Sequence, residues 1–403
     1  MTRPALSIIG LGENGVDSLT PEARDCIRTA RFVIGGARHL TLAADLITAH
    51  AETWPRPIED AIPRIRAWLP APVAVIASGD PFFHGVGPML ANAFPREDWH
   101  CIPSVSCASL ACARLGWSLP ATPVVTLCGR PLHSLNRALY PDSRVLVLSA
   151  DGTTPALVAR HLTARGFGAT PITLLEALGG PDEAIRTTTA QGFDLDGVAP
   201  LNMLALELRA APGAHGASLV PGRRDDAFAH DGQITKQEIR AVTLAALNPQ
   251  PGALLWDIGT GSGAIAIEWL LAHRTLRAIG IERDAVRLAR AQENARTLGA
   301  TGFRPVHGSA PAALSGLPTP DAIFIGGGAR GHDVVNAASA ALRPGGVLVV
   351  NAVTLETEAM LFTLFQHQGG DLRRIGVERL DQVGGLHGFR PAMTVLQYVW
   401  HKP

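Results

Sequence analysis

The chain has 403 residues, 47% of them apolar and only 17% charged, with 35 basic side chains balanced by 35 acidic ones. That length exceeds what one hydrophobic core supports, so two or three domains are expected, and the apolar content excludes a disordered chain. Zero net charge excludes a global field that would steer nucleic acid, and no apolar run reaches the roughly 20 residues of a membrane span.

In chain order, ALSIIG is a strand ending in glycine and LTPEARDCIRTA a proline-started helix. RFVIGG, VAVIASGD, VVTLCGR and RVLVLSADG are further strands that close in Gly or Asp turn chemistry, and LNMLALELRA ends the first half. AAPGAHGASLVPG then has the composition of a linker. The pattern restarts with DGQITKQEIRAVTLAAL, a helix with Ile234, Ile239, Val242 and Leu247 toward one side. ALLWDIG, LRAIGIE, FRPVHG, DAIFIGG and GVLVVNA alternate with helix-length segments, the signature of a parallel, doubly wound sheet. PAMTVLQYVW has no helix after it and is expected at an edge of that sheet.

Cys26, Cys101, Cys107, Cys112 and Cys128 form no C-x-x-C pair and read as small apolar residues of a reducing compartment. The start of the chain runs straight into strand and turn chemistry, so a cytoplasmic location is expected. The histidines show no metal-ligand spacing, and no metal site is expected.

The strongest local motif is Asp257-Ile258-Gly259-Thr260-Gly261-Ser262-Gly263, between a strand and the helical run AIAIEWLLAH. Alternate glycines let the backbone pass close to a nucleotide, and the helix start offers N–H groups. Glu282 ends the next strand, where a carboxylate can accept hydrogen bonds from both ribose hydroxyls. Three readings of the motif stand: a methyl-donor loop faced by Asp257, a dinucleotide site completed by Ala264, and a plain turn. Gly10-Leu-Gly12-Glu-Asn-Gly15 is formally a similar motif, but RFVIGG ends in Gly35 and Gly36 where a ribose-binding acid would stand.

HDGQITKQEIRAVTLAAL, LLWDIGTGSGAIAIEW, AIGIERD, PDAIFIGGG and LRPGGVLVVNAVTLET resemble, block after block, the precorrin-6B carbon-15 methyltransferases and decarboxylases, over nearly all of residues 225–403. That resemblance implies S-adenosylmethionine as methyl donor. Thr235 would lie near it, Gly259, Thr260, Gly261, Ser262 and Gly263 would form its loop, Glu282 would hold the ribose, and Ala310 would sit beside the adenine. The family carries an Asp before that alanine, where this chain has Ser309.

IIGLGENGVDSLTPEARDCIRTARFVIGGARHL, VIASGDPFFHGVG and PSVSCASLACARLGW are similar to the tetrapyrrole methylases, specifically those acting at precorrin carbon 5. LEALGGPDEAI and LNMLALEL extend the likeness over about residues 4–209. It implies a donor cleft between two α/β lobes, supported by Gly79, Asp80 and Pro81, with Phe83, Ser106 and Cys107 as neighbours. The family's first loop reads Gly-Pro-Gly, whereas this chain has Gly12-Glu13-Asn14-Gly15.

In tandem, the two resemblances imply an α/β protein with a two-lobed tetrapyrrole methylase domain at 1–209 and a linker at 210–224. A Rossmann-like, doubly wound methyltransferase domain would fill 225–403. The implied enzyme methylates precorrin-6B at carbons 5 and 15 and removes the ring C acetate carboxyl, in cobalamin biosynthesis. Homo-oligomers would form through the C-terminal domain. A single-site methyltransferase with the first half as scaffold is the alternative. A substrate rich in carboxylates needs basic partners, and Arg38, Arg130 and Arg330 stand at strand-to-helix turns. His84 follows the SGDPFF loop and Trp256 lies within a strand run. Lys236, one of only two lysines, is singled out for a substrate carboxylate or an acid of the donor site, with Thr235 capping the helix that follows.

Overall fold

The computed structural model describes residues 4–214, 216, 218–326 and 332–403. The chain divides into two compact units: Met1–Leu132 with Ala138–Gly216, and His133–Arg137 with Ala217–Pro403.

The first unit contains two five-stranded sheets. One is built from β1 (Leu6–Leu11), β2 (Phe32–Gly35), β3 (His50–Thr53), β4 (Val73–Ser78) and β5 (Trp99–Ile102) in the order β3-β2-β4-β1-β5. All its pairings are parallel. Alternate residues feed opposite faces: Ile9, Leu11, Val33 and Ile76 enter one core, and Leu6, Ile8, Ile34 and Val75 the other. Both faces are covered, as a parallel sheet requires.

The second lobe has β6 (Val124–Thr126), β7 (Arg144–Leu148), β8 (Pro171–Glu176), β9 (Ala184–Thr189) and β10 (Asn202–Glu207) in the order β6-β7-β10-β8-β9. Only β6 and β7 pair in parallel. The helix Cys107–Leu115 packs Ala108, Ala111 and Cys112 against Leu146, Leu175 and Met203 of this lobe. Cys26 and Cys112 are buried, but Cys128 is exposed, a departure from the apolar reading of all five cysteines.

The second unit carries β11 (Leu254–Ile258), β12 (Arg277–Glu282), β13 (Phe303–His307), β14 (Ala322–Ile325), β15 (Val347–Ala352) and β16 (Asp371–Ile375). A hairpin of β17 (Glu378–Val383) and β18 (Leu386–Pro391) precedes β19 (Val395–His401). The seven-stranded order is β13-β12-β11-β14-β15-β19-β16, parallel from β13 to β15. β19 is therefore not at the edge that its lack of a following helix suggests. It lies antiparallel to β15, and β16 adds outside it. β16 reads DLRRI, whose largely exposed polar side chains hide a strand from any search for apolar runs.

A buried arginine ties the start of the second unit down. Arg240, on the helix Gln237–Leu247, is 0% exposed. Its Nε donates to Glu268 Oε1 at 3.0 Å and its Nη1 to Asp225 Oδ1 at 2.7 Å, and it also donates to the carbonyls of Thr235 and Arg223. Glu268 in turn accepts from the N–H groups of Gly222 and Arg223, at 2.5 and 3.0 Å. Residues 222–240 are thus staked through one guanidinium. Arg240→Ala leaves Glu268 buried without its cation, so the second unit is expected to lose about 3–5 kcal/mol. Denaturant unfolding should show this as an earlier transition of that unit, with the first unit's transition unmoved.

Candidate active sites

In the second unit the parallel strands bring their carboxyl ends to one sheet edge, and the glycine loop follows β11 there. Gly259, Gly261 and Gly263 have φ of 75°, 55° and 79°, so this path needs glycine at all three. The N–H groups of Gly259 and Thr260 both donate to Ile281 O, at 2.9 and 3.1 Å, which fixes the loop to the end of β12.

Two carboxylates hold the loop. Asp257, 1% exposed, accepts through Oδ2 from Thr260 Oγ1 at 2.6 Å and from Ala266 N at 3.1 Å. It therefore lies beneath the loop, because the pleat turns its side chain toward the helix Ala264–Ala272, and its Oδ1 is left without a partner among the described residues. Its carboxyl is pushed up to about 6, chiefly by burial and further by the Glu282 charge, against the pull of the Thr260 and Ala266 donors. Glu282, 7% exposed, accepts from Gly261 N through Oε2 and from Asp284 N through Oε1, each at 3.0 Å. One lone pair on each oxygen then remains, which suits the paired hydroxyls of a ribose.

Ser309 and Ala310 follow β13, anchored where Gly308 N donates to Glu282 O at 2.9 Å. Asn294, on the helix Ala285–Leu298, had no place in the sequence reading. Its Nδ2 donates to Ser262 O and Ala229 O, and its Oδ1 accepts from Ala229 N, all at 2.9 Å. It joins the glycine loop to the segment leading to Thr235; a buried Asn in the helical run AQENARTL was the available signal. Lys236 is exposed, with Nζ 3.7 Å from Asp225 Oδ2, so its acid belongs to the Arg240 cluster. It also stands at the helix N-cap itself, with no side-chain cap, in place of the Thr235 cap expected. Trp256 is buried in the core. Arg330 lies outside the described residues.

In the first unit a cavity of about 310 Å³ opens between the two lobes. Gly79, Asp80, Phe83, Ser106 and Cys107 all line it, as do Arg38 and His84, while Arg130 does not. Asp80 Oδ1 accepts from Phe82 N at 2.8 Å and shapes the turn. Ser106 caps its helix by accepting from Ser109 N at 3.1 Å. Gly10 explains the motif that looked like a nucleotide loop. A Cβ there would collide with Gly79 O and come within 2.5 Å of Ser104 N. The glycine is needed for close packing beneath the cavity loop.

Residues 226–402 match the precorrin methyltransferase domain family and residues 5–194 the tetrapyrrole (corrin/porphyrin) methylases. A precorrin-6Y C(5,15)-methyltransferase (decarboxylating) from a Sinorhizobium species is 49% identical over 99% of this chain and 97% of its own. The chain belongs to the precorrin-6Y C(5,15)-methyltransferase family. A Mycobacterium tuberculosis member is 39% identical over 97% of this chain and 98% of its own. The crystal structure of the C-terminal domain of the Rhodobacter capsulatus precorrin-6Y C5,15-methyltransferase shares 46% identity, covering 46% of this chain and all of that one, with a TM-score of 0.44. Membership makes the protein a decarboxylating C-methyltransferase of cobalamin biosynthesis and removes the oxidoreductase reading of the glycine loop. Among the described residues, no helix is long and apolar enough to cross a membrane.

Because the folded state raises the Asp257 carboxyl, its stabilising contribution is complete below about 3.8 and is lost as pH rises through about 6. In this precorrin methyltransferase, Asp257→Asn keeps an oxygen acceptor for Thr260 and Ala266 but cannot ionise. It should flatten the fall in second-unit stability between pH 4 and 7, measured by denaturant unfolding across that range.

Proposed function

We propose that the first unit methylates carbon 5, and that the second methylates carbon 15 and releases the acetate carboxyl as carbon dioxide. Each unit would use its own S-adenosylmethionine, and the carrying observation is the presence of two separate sites of nucleotide-binding character. The 310 Å³ cavity is the size of a small-ligand pocket. The second unit offers the glycine loop and the two spare lone pairs of Glu282.

When bound, the donor supplies an electrophilic methyl group on a sulfonium. The chain's contribution is alignment, worth up to about 7–11 kcal/mol for ideal placement. In the second unit, Gly259 to Gly263 would let the donor approach the backbone and Glu282 would fix the ribose, with Thr235 and Ala310 beside it. In the first unit, Gly79 and Asp80 would support the donor, with Phe83, Ser106 and Cys107 as neighbours. The substrate is a precorrin whose conjugated ring serves as electron sink for decarboxylation. The domain limits proposed are 1–209, 210–224 and 225–403; the compact units divide after Gly216, inside the proposed linker, with His133–Arg137 grouped in the second unit. Self-association would run through the second unit, a reading supported by exposed Leu380, Leu386 and Phe389 on its hairpin.

With precorrin-6B and excess S-adenosylmethionine, the whole chain should add two methyl groups and release one carbon dioxide, read by mass spectrometry. Glu282→Gln cannot accept from both Gly261 N and Asp284 N, and should weaken donor binding in the second unit roughly tenfold to a hundredfold. It should accumulate carbon-5-methylated product. Asp80→Ala should slow carbon 5 alone, while Asp80→Asn, which still accepts from Phe82 N, should stay near wild type. Identical products from Glu282→Gln and Asp80→Ala would contradict two independent sites.

A further inference from the structure

One wall of the first unit's cavity carries polar chemistry that the donor contacts proposed above do not call on. Arg38 and His39 begin the helix Ala37–Leu42, Ser78 ends β4, and Glu13 stands in the loop after β1; all four line the cavity. Arg38 pairs with Glu13. Its Nη2 lies 3.1 Å from His39 Nε2 and 3.2 Å from Ser78 Oγ, and Ser78 Oγ lies 2.8 Å from His39 Nε2.

The direction of these hydrogen bonds follows from which groups can donate. A guanidinium has no acceptor, so the His39 Nε2 that faces Arg38 is the unprotonated nitrogen, and its one lone pair is taken by the shorter contact, Ser78 Oγ at 2.8 Å. Its ring proton is on Nδ1, which is buried without a partner among the described residues. Ser78 Oγ accepts from Arg38, so its own hydrogen is left to donate to His39 Nε2. A serine hydroxyl facing the cavity thus rests on the basic nitrogen of a neutral imidazole, the arrangement that lets a hydroxyl accept one proton while giving up another.

Besides alignment, methylation has a use for such a group. Transfer of the methyl breaks the S–CH3 bond, leaves its electron pair on sulfur, and forms a C–CH3 bond using a pair from the ring. The ring gains one positive charge, which loss of one proton discharges. We propose that Ser78 and His39 form the proton-accepting pair for methylation in this cavity, held in position by Arg38 and Glu13. The substrate proton passes to Ser78 Oγ as the hydroxyl proton passes to His39 Nε2, and His39 then releases a proton to solvent. The proposal rests on the reading that carbon 5 is methylated in the first unit.

Burial, and secondarily the Arg38 charge, lower His39 to about 4. The imidazole is therefore neutral and ready to accept at any pH well above that value. Besides Arg38 and Glu13, the ionisable groups on the cavity wall are Asp80, His84, Cys107 and Cys128. A base this weak suits an acid as strong as a cationic conjugated ring.

The test uses the whole chain with precorrin-6B and carbon-13-methyl donor, with NMR resolving methylation at carbons 5 and 15. His39→Gln keeps an oxygen acceptor for Arg38 and Ser78 but takes up no proton. It should lower the carbon-5 rate about a hundredfold or more, leaving donor affinity and the carbon-15 rate unchanged. Ser78→Ala should do the same, and it carries the test if His39→Gln fails to fold. The wild-type carbon-5 rate should fall as pH is lowered toward 4, and His39→Gln should lose that limb. A carbon-5 rate within threefold of wild type in the folded variants would overturn the pair. Loss at carbon 15 with carbon 5 intact would overturn the assignment of carbon 5 to this unit, and the pair with it.

Discussion

The second unit's site depends on two carboxylates holding one glycine loop. Asp257 grips it from below through Thr260 and Ala266, and Glu282 grips it from the neighbouring strand through Gly261. A loop in which three glycines take positive φ has a large conformational entropy to lose, and these contacts hold it in one shape. Neither acid could do this unless β11 and β12 ran parallel, with Ile258 opposite Ile281, so that both acids reach the same sheet edge. Sheet direction therefore comes before site chemistry.

The first unit builds its cavity differently. Its β2 closes in Gly35 and Gly36, and the ligand space lies between two lobes instead of over one sheet edge. What matters there is close backbone packing. Gly10 lets the loop at Gly79 pass near enough to form the cavity floor, and the N-cap of Ser106 starts the helix that packs on the second lobe. Polar side chains meet on the wall formed by Glu13, Arg38, His39 and Ser78.

Much of this was legible from local pattern. The buried parallel strands announce themselves as apolar runs with turn residues after them, because a strand covered on both faces has no polar side to show. The short or polar strands β3, β5, β9 and β16 to β18 were not legible, and the largely buried run PITLLE of β8 was not read as a strand either. Runs such as HAET and AIRTTT are largely exposed and carry no burial signal. The helix after Lys236 was readable by its period, but its cap was not: Thr235 is occupied through its carbonyl by Arg240. Asp257 was rightly marked as an acid at a strand end, yet which way it points is fixed by the pleat and by the helix packed behind it.

The sequence by itself determined the two α/β halves, the glycine loop with its two acids, and the family, since these reside in contiguous residues whose chemistry is local. Only the tertiary structure decided the rest. It placed β19 inside the sheet, gave Lys236 the partner Asp225, set Asn294 against Ser262, and brought Glu13 and Arg38 to Ser78. Each of these joins groups from separate segments of the chain. Such contacts arise because sheet order, not sequence spacing, determines which loops share an edge.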